Sequence, residues 1–353
     1  VDRDGRTLAL RPDLTIPTAR VVGTRLFDQP LPLRLFYIGS VFRYERPQAG
    51  RQREFTQAGI ELIGAGTPDA DGEVLALTVE ALRTAGLQGF QVALGQMAFF
   101  RGLLAEWQVA ERQAEAVASL QSAIDRKNRA DLESVLQRWP APEALRRALL
   151  ALPGLNGGPE ILELGRSYCL NEHMRSALDW LRALEALLAA YGLAEVVSFD
   201  LGETRGMEYY TGITFKGYAP GLGFSVCSGG RYDDLVGHFG PAQPAVGCAW
   251  WLDRLLLARQ RQGRRPQPQP LDLLLAAGAC PACVQAALAL RKDGLRVEID
   301  VTKRAVADLL HYAHERRAVW VALCLGAGQL RLWRGAEERL ISQERLVDEV
   351  MGR

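Results

Sequence analysis

No apolar run in this 353-residue sequence is long enough to span a bilayer. The longest, near Leu271–Leu290, is broken by Asp272, Pro281 and a Cys pair, and nothing reaches the roughly 20 uninterrupted apolar residues a spanning helix needs. Excess charge of one sign is also missing. Forty-two Lys and Arg against 41 Asp and Glu leave a net charge of +1, so no global field draws in a phosphate backbone or an anionic membrane. Neither nucleic acid nor membrane is therefore expected as a partner. Cysteine is sparse, six residues unevenly placed with no signal peptide before them, which excludes a disulfide framework and makes a reducing cytoplasm the expected compartment. No internal repeat is apparent. The remainder, 48% hydrophobic and 24% charged, suits a globular protein of two or three domains and excludes disorder, collagen and coiled coil.

Thr7–Arg11 and Arg34–Tyr44 read as strands by their β-branched, aliphatic and aromatic content, and Glu73–Thr84 as a helix. From about 98 to 192 the texture turns to Leu, Ala, Glu, Arg and Gln at helical spacing, as in Ala116–Lys127, Pro142–Ala151 and Met174–Tyr191. Strand-type sequence returns at Glu195–Asp200, Met207–Tyr218 and Gly223–Cys227, followed by a helix at Ala249–Arg261. The block 98–192 is thus expected to be a helical insertion into one mixed domain formed by 1–97 and 193–262. Residues 263–270, GRRPQPQP, are a polar, proline-punctuated linker. Beyond it, 271–353 alternates strand and helix (Leu271–Ala276, a helix from Pro281, Leu295–Val301, a helix at Ala305–Arg317, Val319–Leu325), the pattern of a small α/β domain.

Phe42–Gly64, FRYERPQAGRQREFTQAGIELIG, is the segment richest in chemistry. Pro47–Gly50 supplies a turn between two antiparallel strands. In the second strand a period of two puts Arg51, Arg53, Phe55, Gln57, Gly59 and Glu61 on one face and Thr56, Ala58, Ile60 and Leu62 on the other. Arginines, an aromatic, an amide, a carboxylate and a glycine that admits a ligand to the backbone suit a polar metabolite carrying both signs of charge. Two further clusters follow, TRGMEYYTGITF at Thr204–Phe215 and SGGRYDDL at Ser228–Leu235. The paired glycines before Arg231 imply a tight turn or a close backbone approach. Tyr209 and Tyr210, as strand neighbours, would point to opposite faces, so that at most one lines a given pocket.

These segments resemble the class II aminoacyl-tRNA synthetase core, in its histidyl branch. The motif 2 of that branch is similar to FRYERPQAGRQREFTQAGIE, its two histidine-binding signatures to RGMEYY and GGRYDDL, and its amino-group loop to RPDLT at Arg11–Thr15. Over roughly residues 5–260 the resemblance implies an α+β fold, a six-stranded antiparallel sheet flanked by helices, with the helical block as the family's inserted domain. The family's first motif, a helix and strand that build a dimer interface, is expected to precede Val1, where the chain opens without an initiator Met. Residue by residue, the resemblance assigns Asp13 and Thr15, with Gln57, to the amino group of L-histidine, Arg43 and Arg205 to its carboxylate, and Glu61, Tyr210 and Tyr232 to its ring. These are the groups that ammonium, carboxylate and imidazole require. Such a pocket would reject analogues lacking the imidazole, because Glu61 would be left buried and unpaired.

Two protein classes share this core, the histidyl-tRNA synthetases and the regulatory subunits of ATP phosphoribosyltransferase. The synthetases' motif 3 is similar to GFAIGLERL, whereas Gly247–Leu255 reads GCAWWLDRL. Arg254 is retained, Asp253 replaces Glu, and Trp251 stands at the second glycine, where an indole would obstruct a nucleotide. Asp13 and Glu208 each exchange one acid for the other and decide little. RQREFTQAGIEL and YYTGITF followed by YAPGLG resemble the regulatory class more closely. The C-terminal domain faintly resembles an anticodon-binding domain but shows no basic stripe. The resemblance thus implies a non-catalytic subunit, without a cofactor, that partners a short-form ATP phosphoribosyltransferase catalytic subunit, binds L-histidine and forms a homodimer within a hetero-oligomer. A histidyl-tRNA synthetase is the alternative; in it Arg43 would meet the α-phosphate, Arg254 the terminal phosphates, and Arg205 would act in activation.

No metal site is expected. Cys280-Pro281-Ala282-Cys283 opens a helix after a strand, a setting that stabilises a thiolate, but no second Cys pair accompanies it. His311 and His314 share a helix face without an evident third ligand.

Overall fold

The structure, a computed structural model, describes residues 3–44, 52–107, 114–204, 206, 209–264, 269–278 and 280–352. The chain forms two compact units, residues 1–264 and 265–353. In the first, α1 (Thr15–Arg25) precedes a pair of long strands, β1 (Leu33–Phe42) and β2 (Glu54–Ile63), then α2 (Pro68–Thr84) and β3 (Gln91–Gln96). A mostly helical stretch follows: α3 (Met97–Trp107), α4 (Ala114–Asp125), α5 (Arg129–Arg138), α6 (Glu143–Ala151), the short β4 (Asn156–Gly157), α7 (Glu160–Arg166) and α8 (Glu172–Ala190). The chain then returns through β5 (Val197–Asp200), β6 (Ile213–Tyr218), β7 (Ser225–Arg231), β8 (Ala245–Trp251) and α9 (Leu252–Arg261).

The strands form one eight-stranded sheet in the order β1-β2-β8-β7-β6-β3-β5-β4. Its first six strands are antiparallel throughout, as the class II resemblance implies, and β5 then adds parallel to β3, with β4 at the far edge. Helices α3 to α8 pack into the same buried cluster as the sheet, with Phe99, Phe100, Leu103, Leu120, Leu178 and Leu181 against Val92, Leu94 and Phe215. Local signals start these helices. Pro68 and the acids Asp69 and Asp71 occupy the first turn of α2, where a missing N–H costs nothing and negative charge meets the positive end of the helix. Asn171 caps α8 by accepting the Met174 N–H at 3.0 Å.

The second unit alternates as its sequence pattern implies: β9 (Leu273–Ala276), α10 (Pro281–Lys292), β10 (Val297–Ile299), α11 (Val306–Glu315) and β11 (Trp320–Gly326), then a hairpin of β12 (Gln329–Arg334) and β13 (Glu337–Ser342), and α12 (Leu346–Met351). Its sheet runs β10-β9-β11-β12-β13, parallel around β9 and antiparallel at the hairpin. The sequence pattern does not announce this hairpin, because edge strand β13 buries only Ile341 and exposes its charged residues. Among the described residues no helix is long and apolar enough to cross a membrane.

Three local expectations need correction. Thr7–Arg11 is irregular and exposed rather than a strand; among the described residues only its last residue bonds to β1, the Arg11 carbonyl accepting the Phe42 N–H at 2.9 Å. Ala249–Trp251 finish β8 instead of starting α9; hydrogen bonding to β2 and β7 overrides their helical neighbours. Tyr209–Gly212 form a turn before β6, which begins only at Ile213.

One buried ion pair ties these elements together. Arg231, the arginine of the GGRYD run, is 3% exposed and donates to Asp71 Oδ1 from Nη2 at 2.6 Å and from Nε at 3.0 Å. It also donates to the carbonyls of Ala65 and Thr67 and to Asp233, while Trp180 Nε1 donates to Asp71 Oδ2 at 2.8 Å. Burial pushes the Asp71 carboxyl upward and the guanidinium opposes that shift. The network joins β7, α2 and α8, and removing the Asp71 charge leaves the buried guanidinium with only the half-exposed Asp233 as a counter-charge. Asp71→Asn is therefore expected to cost about 3–5 kcal/mol of unfolding free energy, read from denaturant midpoints, with the Asp71→Asn/Arg231→Met double variant losing less than the sum of the single changes. A loss below about 1 kcal/mol for Asp71→Asn would show that the pair does not hold the fold.

Candidate functional site

Strands β2, β8 and β7 lie side by side in the middle of the sheet, and their register builds the site. Glu61 of β2 faces Gly247 of β8, Gln57 faces Trp251, and Ser228 of β7 faces Ala249. Asp13, Thr15, Arg43, Gln57, Glu61, Tyr210 and Tyr232 line one cavity of about 190 Å3 together with Tyr209, Ser228, Gly229, Gly247, Cys248, Ala249 and Trp251. The period of two along β2 is thus reflected in the fold, with Gln57 and Glu61 on the pocket face. Arg205 lies outside the described residues, as do the Pro47–Gly50 turn and Arg51.

Glu61 is 2% exposed and accepts a short hydrogen bond from the Tyr232 hydroxyl. It fits there because position 247 is glycine: a Cβ at Gly247 would overlap Glu61 Oε2. Gly59, a pleat away on β2, has the same effect, since its missing side chain leaves room for the ring of Tyr37 from β1. Gly229 and Gly230 sit within β7, where a Cβ would press on the Gly247 carbonyl or on the Tyr210 ring. The paired glycines therefore serve close approach rather than a turn.

Burial pushes the Glu61 carboxyl up to about 7, opposed by hydrogen bonds from Tyr232, Thr15 and Tyr37. The same burial, followed by the nearby Glu61 charge, raises the phenols of Tyr37, Tyr209 and Tyr232, and burial raises Tyr210 as well. These tyrosines stay protonated, and Tyr232 and Tyr37 donate to the Glu61 carboxyl.

The mouth of the cavity comes from the loop before α1. Gln57 Oε1 accepts the Leu14 N–H at 3.1 Å, Arg43 Nε donates to the Pro12 carbonyl at 2.8 Å, and Asp13 Oδ1 accepts the Ile16 N–H at 3.2 Å. Gln57 and Arg43 thus hold the segment that presents Asp13 and Thr15, beyond any contact of their own with a ligand. Thr15 Oγ1 lies 3.2 Å from the Tyr37 hydroxyl.

Tyr209 and Tyr210 both line the cavity, which corrects the expectation of opposite faces. Alternation holds only on a strand, and these residues lie in a turn where their rings meet edge to face at 5.0 Å. Among the described residues the buried Tyr209 hydroxyl and Trp251 Nε1 have no hydrogen-bond partner, so two donors at the cavity wall await an acceptor. Pattern reasoning missed Ser228, Cys248 and Ala249, because the signal that places them is the β7–β8 register, a long-range property.

Trp251 ends β8 as a buried side chain with the Arg254 guanidinium 4.4 Å from its ring centroid. Arg254 also donates to the Ser225 carbonyl at 2.9 Å, and Asp253 accepts the Thr56 N–H at 3.1 Å. Both residues bind the frame around the pocket. A cavity below the roughly 300–1,000 Å3 of drug-sized ligands, with Asp13 and Glu61 against Arg43 and a ring of hydroxyls, suits a small zwitterion bearing a further donor group.

Comparison with known proteins is consistent with this geometry. The family model described as histidyl-tRNA synthetase matches residues 1–255. The chain is 40% identical to the ATP phosphoribosyltransferase regulatory subunit of Syntrophotalea carbinolica over 98% of this chain and 82% of that one. It is 44% identical to that of Moorella thermoacetica over 86% and 77%. A crystal structure from Bacillus halodurans, described as an ATP phosphoribosyltransferase regulatory subunit/histidyl-tRNA synthetase, superposes with a TM-score of 0.78 at 34% identity, covering 92% of this chain and 82% of the other.

The elevated Glu61 value makes a signed prediction for the ligand-free protein. The unfolded chain titrates this carboxyl at about 4.3 and the fold near 7. The stabilising proton is therefore fully held below the unfolded value and lost as pH rises through the folded one. The stability of the wild type minus that of Glu61→Gln should fall by about 3 kcal/mol between about pH 4 and about pH 8. Parallel denaturation profiles for the two proteins would refute the assignment.

Proposed function

The chain belongs to the ATP phosphoribosyltransferase regulatory subunits, a family built on the histidyl-tRNA synthetase core, and on that basis we propose that it activates a short-form catalytic subunit and binds L-histidine as feedback inhibitor. The observation that carries this reading is the carboxyl of Glu61, buried beneath donor hydroxyls in a cavity of about 190 Å3. An imidazole N–H donated to Glu61 would satisfy its charge, the ammonium would meet Asp13 and Thr15, and the carboxylate would meet Arg43, with Arg205 as its second partner.

The reaction belongs to the partner, which condenses ATP with phosphoribosyl pyrophosphate. Trp251, buried at the end of β8 with Arg254 stacked on it, supports the absence of a nucleotide site in this chain. Feedback needs only that histidine bind the inhibited assembly more tightly than the active one, a coupling of about 1–3 kcal/mol. Self-association is supported by edge strand β1, where Phe36 and Ile38 are 81% and 67% exposed. Apolar side chains along an open sheet edge are what a dimer interface covers. The reading also carries a reducing cytoplasm as compartment and no nucleic-acid partner.

Calorimetric titration with histidine, histidine-dependent pyrophosphate exchange with ATP, and stimulation of a short-form phosphoribosyltransferase test it together. Binding without exchange, accompanied by stimulation of the partner, is the expected result. Robust exchange would restore the synthetase reading despite Trp251. Within the proposal, Glu61→Gln should weaken histidine binding about tenfold to a hundredfold, because the ring N–H then loses a charged acceptor.

A further inference from the structure

We propose that the second unit carries a metal site for Zn2+, formed by the thiols of Cys280, Cys283 and Cys324. Their Sγ atoms all lie within 4.8 Å of one another, and no disulfide joins them. Tetrahedral zinc with Zn–S bonds of about 2.3 Å spaces its sulfur ligands roughly 3.8 Å apart, so the three side chains need only small rotations to close on one ion. An all-sulfur donor set favours a soft or borderline ion over Mg2+ or Ca2+, which take oxygen ligands.

The fold brings these residues together from two separate elements. Cys280 caps the N-terminus of α10 and Cys283 follows in its first turn, so one helix end presents both sulfurs where backbone N–H groups favour negative charge. Cys324 comes from β11, which runs parallel to β9 with Leu323 opposite Ala276. The three thiols therefore gather where the parallel pairing of β9 and β11 ends, at the carboxyl side of the sheet, the position where open α/β sheets bind ligands. The β11–β12 register breaks between Cys324 and Gly326, a bulge that re-aims the strand at this point.

Two further features fit an ion rather than a packed trio of thiols. Gln343 Nε2 donates to Cys324 Sγ at 3.3 Å, an outer hydrogen bond of the kind that orients a metal-bound thiolate. Cys283 is buried, whereas Cys280 and Cys324 are only half-buried, which leaves an approach from solvent and a fourth coordination position for water or a ligand. The sequence pattern could not show this site, because its third ligand lies far along the chain from the Cys280–Cys283 pair.

The test uses the whole chain, purified under reductant and stripped with a chelator, with Co2+ as a spectroscopic probe. One equivalent of Co2+ should produce a thiolate-to-metal charge-transfer band that Zn2+ abolishes, and zinc should shield three thiols from alkylation. Cys280→Ser and Cys324→Ser, changes at half-buried positions, should each weaken Co2+ binding at least tenfold. Cys169→Ser, in the other unit, should leave it unchanged. Lack of the band in the wild type, its persistence in both variants, or a Cys280–Cys283 disulfide in the reduced preparation would each overturn the site.

Discussion

A carboxyl group held out of water in the middle of a sheet is the constraint from which the site of the first unit follows. Glu61 has almost no exposed surface, and an ionised carboxylate there without partners would be prohibitively costly. Protonation, the donors around it and the glycine opposite each offset some of that cost. Gly247 makes room for the carboxyl, the Tyr232 hydroxyl donates to it, and Thr15 and Tyr37 stand within reach. Burial brings this carboxyl up to about 7, and under the proposed histidine binding an imidazole N–H donated to it would shift the balance toward the anion.

The frame that holds this carboxyl is itself polar and buried. Arg231 anchors the end of β7 to α2 and α8 through Asp71, and its neighbour in sequence, Tyr232, is the residue that reaches Glu61. The GGRYD run therefore has a division of labour: its glycines allow strands β6, β7 and β8 to approach closely, its arginine fixes the strand, and its tyrosine enters the pocket. Gln57 and Arg43 work in the same indirect way, holding the loop that carries Asp13 and Thr15. Several residues that a family resemblance would assign to a ligand are engaged first with the protein's own backbone.

Trp251 illustrates how one side chain redirects a shared architecture. Where the synthetase motif has a glycine, this chain places an indole at the end of β8 and stacks Arg254 against it. That arginine then serves to pack the frame, together with its bond to the Ser225 carbonyl. The described residues that the resemblance assigns to an amino-acid ligand still line one cavity, and the buried indole forms part of its wall.

How much of this could be read along the chain depends on the range of the interactions involved. Alternation in FTQAGIE was enough to put Gln57, Gly59 and Glu61 on one face, because side-chain direction in a strand depends only on neighbouring residues. Helix-forming composition likewise located α2, α4, α6 and α8. The same alternation misled at Tyr209 and Tyr210, since a turn has no period of two, and helix propensity misled at Ala249–Trp251, where pairing with β2 and β7 prevails. Nothing local could reveal that Ser228 and Ala249 line the same cavity as Glu61, that Arg231 meets Asp71, or that Cys324 lies near Cys280 and Cys283. Those meetings are set by strand register and by which surfaces are removed from water. Residue type and spacing thus decided which chemical groups are available and on which face of a strand they stand, whereas their distances and protonation states arise from long-range packing, because desolvation depends on everything that surrounds a group.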